Sequence, residues 1–249
     1  MTRRLLAVLI ALAGTAGVVV AGLATVFAPK DSVTINHPGP VRSVEVDVES
    51  GRVVVVAGVA DETFVERTRQ WVRGKPVTAE RLVDGVLRIT ADCRRFVRVG
   101  CEADYRIEVP AGVSVRVRNE RGSVSVTGIA GMVEVDTRAG DVRLDRTRGS
   151  VRVNTSAGNV DGVDLAASFL DATTGAGHVR LTMAEPPDRV GVRTGAGGID
   201  VALPPAQGGY RVDADAGAGN VDVSVAQNPG GLRSVVADSG AGRIRIHPR

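Results

Sequence analysis

Few side chains in this chain are of a type and spacing that could do chemistry. The histidines are His37, His178 and His247, in a proline-bounded stretch, at a glycine turn and at the C-terminus. Nothing in the sequence places any of them beside a nucleophile, as a proton relay would require. Cys93 and Cys101 lie eight apart in DCRRFVRVGC. With no histidine nearby, two thiolates cannot fill a tetrahedral metal site. Thiol exchange favours the tighter Cys-x-x-Cys spacing. The pair therefore reads as a structural disulfide, which an exported chain permits. Closing so short a loop contributes about 2.5 kcal/mol in the chain-entropy picture. Asp141, Asn159 and Asn220 follow turn glycines and suggest calcium. The β-roll calcium repeat, however, is Gly-Gly-x-Gly-x-Asp, and in Gly217-Ala-Gly219-Asn-Val-Asp222 the aspartate comes one residue late. Turn formation explains these residues. Gly195-Ala-Gly197-Gly198 lacks the Lys-Ser/Thr and the helix of a phosphate loop. Asn154-Thr-Ser156 is a glycosylation sequon by pattern. Arg94, Arg95 and Arg98 form a small basic cluster between the cysteines, read as a solvated face rather than an anion or lipid-head contact. Asp136, Asp145, Asp161 and Asp171 would suit a polysaccharide-cleaving β-helix only if they converged in one groove. No catalytic residue, metal ligand or cofactor is assigned.

The elements that would hold these residues are announced by composition. The chain has 249 residues, 31 of them glycine, with 43% hydrophobic and only 3% aromatic residues. Valine favours strands over long helices, and glycine without a three-residue period excludes collagen. Removing Arg3 and Arg4 leaves 29 basic against 28 acidic side chains over residues 30–249. No basic stripe survives, and there are few stacking platforms, so nucleic acid is not an expected partner. Arg3-Arg4 precedes a charge-free stretch from Leu5 to Ala28. As a helix it would span about 36 Å, enough for a hydrocarbon core of about 30 Å. An uncleaved signal anchor in the lipid bilayer is the favoured reading. Cleavage at the small residues Gly22-Leu23-Ala24 is the alternative. No cysteine near residue 25 could carry a lipid. In either case residues 30–249 are expected outside the cytoplasm.

Along the exported part, residues 30–40 read as a linker. The alternation in SVEVDVES-GRVVVV, residues 43–56, reads as a hairpin turning at Ser50-Gly51. Asp84-Gly85 marks a second hairpin, and Tyr105–Pro110 reads as a strand. From residue 111 the chain repeats. Glycines followed by alternating apolar residues occur at Gly122, Gly131, Gly140, Gly149 and Gly158, nine apart, then at Gly177, Gly197, Gly219 and Gly242 at wider spacing. The turn sequences TRAGDV, TSAGNV, TGAGHV, TGAGGI, DAGAGNV and DSGAGRI start at 137, 155, 174, 194, 215 and 238. A period of about 18–23 residues holding two short strands is a solenoid signature. Such coils bury a valine ladder only by stacking, and their glycines permit positive φ and close backbone approach.

The outward residues carry a second pattern. Beside the inward ladder Val124, Val142, Val160, Val179, Ile199, Val221, Ile244 run Ser125, Arg143, Asp161, Arg180, Asp200, Asp222 and Arg245. Arg116, Glu134 and Arg152 recur 18 apart on the other strands. Opposite charges would thus mostly stack in register, each pair contributing a few tenths of a kcal/mol.

The strands at 43–56, 84–89 and 105–110 together with the Thr-x-Ala-Gly-Asp/Asn-Val repeats resemble the bacterial putative-adhesin family over residues 41–247. The resemblance implies a right-handed β-solenoid, or β-helix-like, all-β fold. It carries over no catalytic residue. The expected organisation is an N-terminal transmembrane helix at 1–29, a linker at 30–40, a disulfide-stapled hairpin region at 41–110 capping the stack, and a solenoid at 111–249. The function read from this is a non-catalytic surface adhesion or interaction module with a protein or glycan partner. An envelope-stress or signalling accessory, working through Gly14, Gly17, Ala21 and Gly22 against a partner helix, is the main rival. A β-helix polysaccharide enzyme is the third reading.

Overall fold

The structure is a computed structural model and describes residues 28–58, 62–93 and 100–249. The anchor segment, with Gly14, Gly17, Ala21 and Gly22, and the cluster Arg94, Arg95 and Arg98 lie outside the described residues. Among the described residues there are 21 strands and no helix, hence none long and apolar enough to cross a membrane.

The first described strands are β1 (Lys30–His37), β2 (Ser43–Ser50), β3 (Val53–Gly58), β4 (Thr63–Gln70), β5 (Val77–Val83), β6 (Val86–Asp92) and β7 (Glu102–Pro110). The repeats follow as strand pairs. They are β8 (Ser114–Arg121) with β9 (Val124–Thr127), β10 (Val133–Ala139) with β11 (Val142–Asp145), and β12 (Val151–Ala157) with β13 (Val160–Leu165). Then come β14 (Phe169–Ala176) with β15 (Val179–Met183), and β16 (Arg189–Ala196) with β17 (Ile199–Leu203). The last are β18 (Tyr210–Ala218) with β19 (Val221–Val223) and β20 (Arg233–Ala241) with β21 (Ile244–Pro248).

One strand of each pair enters a front sheet and the other a back sheet. The front order is β1-β4-β7-β3-β9-β11-β13-β15-β17-β21-β19, and the back order is β18-β20-β16-β14-β12-β10-β8-β2-β6-β5. Between the sheets lies one continuous core, to which Val135, Leu144, Val153, Leu181 and Ile246 contribute fully buried side chains. Alternation explains the arrangement: in β10, Val133 and Val135 point inward and Glu134 and Asp136 outward. A coil is therefore a flattened, two-sided loop. Gly140-Asp141 turns β10 into β11, and residues 146–150 return the chain to β12. Gly122, Gly140 and Gly158 sit at the first kind of corner and Gly131 and Gly149 at the second, which is why the nine-residue glycine spacing is half a coil.

Three expectations are corrected. Residues 43–56 are not a hairpin: β2 joins the back sheet between β6 and β8, and β3 joins the front sheet between β7 and β9. Each strand buries an apolar row, Val44, Val46 and Val48 in one and Val53 and Val55 in the other. Coil stacking covers both rows, whereas a lone hairpin would leave them in water. Residues 30–40 are not only a linker, because β1 pairs antiparallel with β4. As an edge strand with mostly exposed residues, it lacks the apolar row that marks a core strand. Residues 41–110 are not only a cap: β2–β3 and β6–β7 each place one strand in the back sheet and one in the front sheet, as the repeats do. Capping falls to β1, β4 and β5, which supply the only antiparallel pairings among the described strands. Asp84-Gly85 does join β5 to β6, with φ of 51° and 74°, as a primed two-residue turn requires.

The order of coils in space differs from the order in the sequence at both ends. β2–β3 lies between β6–β7 and β8–β9. The last coil, β20–β21, lies between β16–β17 and β18–β19.

Candidate interaction surface

Because strands pair in register, every outward position becomes a row across the stack. On the back face one row reads Arg88, Glu45, Arg116, Glu134, Arg152, Asp171. Arg88 donates to Glu45 Oε2 at 2.8 and 3.1 Å, and Arg116 to Glu134 Oε2 at 2.6 and 2.9 Å. The front row reads Ser125, Arg143, Asp161, Arg180, Asp200, Arg245, Asp222. Arg180 donates to Asp161 Oδ1 at 3.1 Å, Asp200 Oδ1 meets His247 Nε2 at 3.0 Å, and Arg245 approaches Asp222 at 4.0 Å. Sequence order would have set Asp200 beside Asp222. Intercalation of β21 puts Arg245 between them, so the sign alternates from Arg143 to the end of the sheet. The like-charge neighbours in the sequence-order ladder were the available signal that the last two coils exchange places.

The first corner stacks backbone on backbone. A Cβ on Gly140 would lie 1.9 Å from the Gly122 carbonyl oxygen, and one on Gly242 would lie 1.9 Å from that of Gly197. Gly158, Gly177 and Gly197 continue this column, and Gly219 ends it against Gly242. Gly131 and Gly149 are crowded in the same way at the other corner, by the carbonyls of Val113 and Gly131. Inside the first corner, buried hydroxyls cap the glycine carbonyls: Thr174 donates to Gly158, Thr194 to Gly177 and Ser239 to Gly197, at 2.9 to 3.0 Å. Outside it, each side chain receives the next coil's backbone. Asn159 N donates to Asp141, His178 N to Asn159, and Gly198 N to His178 Nδ1, at 2.8 to 2.9 Å. Asp141 and Asn159 are thus consumed by turn hydrogen bonds, and among the described residues no cluster of three or more metal-ligating side chains forms.

Two shallow polar grooves cross these faces. One of about 540 Å³ runs past His178, Arg180, Asp200, Arg243 and Arg245, and one of about 520 Å³ past Asp47, Arg118, Asp136 and Arg138. Asp136 and Asp171 stand on the outer back face and Asp145 and Asp161 on the outer front face, so the four do not share a groove. Asn154 of the sequon bonds Asp136 Oδ1 at 2.9 Å. A third groove, of about 250 Å³, has an apolar floor. It lies at the edge of the back face, where Met132 and Phe169 are 49% and 53% exposed beside Glu134, Arg152 and Asp171. No local pattern announces it, because Met132 and Phe169 come from different coils.

At the first end of the stack, a polar cluster ties front to back. Arg67 on β4 meets Glu80 on β5 at 2.7 Å with both side chains buried, and Tyr105 donates to Glu80 at 3.2 Å. Burial, with the Glu80 charge added, pushes the Tyr105 hydroxyl well above the ordinary tyrosine range. Nearby, Arg69 grips Asp31 through two hydrogen bonds of 2.7 and 2.9 Å. With Lys75 it holds that carboxyl far below the usual carboxylate range. Cys93 and Cys101 are joined in a disulfide with a Cα–Cα distance of 5.9 Å. Beside it, Cys93 N donates to the buried Glu49 carboxylate at 2.9 Å.

A family model described as Toastrack DUF4097 matches residues 28–247. No curated protein matches the chain. Among solved structures, a putative adhesin from Bacteroides fragilis NCTC 9343 is similar at TM-score 0.44 and 12% identity, over 87% of this chain and 97% of that one. A putative cell adhesion protein from Clostridium sporogenes ATCC 15579 is similar at TM-score 0.40 and 13% identity, over 89% and 100%. A putative adhesin from Parabacteroides merdae ATCC 43184 is similar at 0.35 and 10%, over 87% and 95%.

Proposed function

Because the chain belongs to the Toastrack DUF4097 family, whose match spans the whole two-sheet stack, we propose that it is a membrane-anchored, non-catalytic adhesion or interaction module held outside the cytoplasm. The apolar run from Leu5 to Ala28, preceded by Arg3 and Arg4, supports the anchor and its orientation. The disulfide suits an oxidising compartment. The observation that carries the binding role is the Met132–Phe169 groove. An aromatic ring left 53% exposed beside an arginine is the composition of a binding hot spot. The charged rows around it would form a polar rim. Arginine has five donors, and in-register pairs such as Arg116–Glu134 leave several of them facing solvent. A protein surface suits this patch better than a glycan, since one ring offers little stacking area.

The test is attachment of cells displaying the intact chain, compared with a Phe169→Ala variant, with protease shaving of whole cells to report orientation. The variant should lose attachment at least about tenfold, the scale of one lost hot spot, while its thermal unfolding is unchanged. Equal attachment by both chains would remove the groove from the mechanism.

A further inference from the structure

We propose that the loop joining β4 to β5, residues 71–76, is a bilayer-contacting platform that seats Trp71, Val72, Arg73 and Lys75 in an anionic lipid headgroup layer. This rests on the anchor reading above. Only Pro29 separates the apolar run ending at Ala28 from the start of β1 at Lys30. Two residues of extended chain reach about 7 Å, so the part of the stack touching Pro29 stands at the membrane surface. That part is this loop: Trp71 N donates to the Pro29 carbonyl at 3.2 Å, and Lys30 pairs with Gln70 in the β1–β4 register.

The loop, WVRGKP, is built for such a boundary. Trp71 is the sole tryptophan of the chain. Tryptophan prefers the headgroup level, where its ring is sheltered and its N–H stays wet. Val72 is 36% exposed and Val77, the first residue of β5, is 58% exposed. Apolar side chains left open there would be covered by lipid. Arg73 is exposed, and Lys75 lies 4.9 Å from the Trp71 ring centroid with its ammonium on Asp31 at 2.7 Å. Basic groups at a membrane surface are drawn to anionic headgroups. Asp31 does not cancel this attraction: it is shared by Arg69 and Lys75, so that trio keeps one net positive charge, and Lys30 and Arg73 add to it. Glu102, in register with Gln70, and Asp92, in register with Val77, are the opposing carboxylates. The loop is also backed by the strand end beside the disulfide, since Gly100, next to Cys101, lies against Val72 so closely that a Cβ there would come within 2.5 Å of it.

The single tryptophan is its own probe. The full chain would be reconstituted in phosphatidylcholine vesicles with and without phosphatidylglycerol. Trp71 emission would be read against headgroup-nitroxide lipid and against aqueous iodide, with alkaline flotation reporting retention. The expected result is retention, loss of about half the emission to the nitroxide, and protection from iodide, more so with phosphatidylglycerol. Arg73→Glu should reduce the quenching on phosphatidylglycerol vesicles. Retention without nitroxide quenching would overturn the platform and leave the anchor standing. Loss of the chain on flotation would overturn the anchor and the platform with it. Quenching of Arg73→Glu equal to that of the unaltered chain would overturn the choice of anionic headgroups.

Discussion

Gly140 has a φ of +154° and no room for a methyl group, because the Gly122 carbonyl oxygen would lie 1.9 Å from it. Gly112 has nothing within 4 Å of the same position. The two separate a glycine required by its neighbours from one that is merely tolerated. Gly140→Ala should cost at least about 2 kcal/mol from backbone strain and displaced coils, and Gly112→Ala should be neutral or slightly stabilising. Urea unfolding of both variants checks this. Tyr105 makes a second residue-scale prediction. Its hydroxyl is buried and holds its proton above the ordinary value of 10.0. The unfolded chain therefore loses that proton first as pH rises. The stabilising contribution is complete below about pH 10 and is lost as pH climbs from there toward the folded value. Thermal unfolding from pH 9 to 11 should show a steeper alkaline loss in the native chain than in Tyr105→Phe, and equal slopes would contradict the assignment.

At the scale of strands, register converts a list of charges into rows. Glu134 stands between Arg116 and Arg152, so Glu134→Arg would place three arginines on consecutive strands. The expected loss is about 1 kcal/mol in dilute buffer, shrinking as salt screens it; a salt-independent loss would point to packing instead. These rows show what the sequence makes legible. Alternation in Val133–Asp136 and the glycine period are local, so strands, corners and coil period can be read directly. Whether β2 turns back on itself or crosses to the other sheet is decided by distant partners, β6 and β8, and its residues 43–50 look the same in both cases. β1 was hidden for the opposite reason: KDSVTINH buries almost nothing, so no pattern marks it as a strand. The Met132–Phe169 groove and the Arg67–Glu80–Tyr105 cluster join residues far apart in sequence, and only the folded stack brings them together.

For the whole molecule, stability is distributed along a stack in which each coil touches mainly its neighbours. β18–β19 reaches the remainder through β20–β21. Removing residues 233–249 should leave coils β2–β3 through β16–β17 protected in amide hydrogen exchange, while β18 and β19 become freely exchanging. Direct docking of β18–β19 onto β16–β17 would set Asp200 beside Asp222 and Arg189 beside Arg211, positions that Arg245 and Ser234 now separate. Protection persisting in β18 after the truncation would show that this repulsion is too weak to matter.

The exchange of the last two coils also bears on how the protein is made. Residues 210–223 leave the ribosome before residues 233–248, yet the later stretch must slide between them and everything already stacked. The growing end therefore cannot close by simple accretion. Residues 210–223 cannot take their final place until residues 233–248 have emerged. A copy lacking residues 233–248 would leave β18 and β19 without the strands they pair with, as a loose coil open to proteolysis.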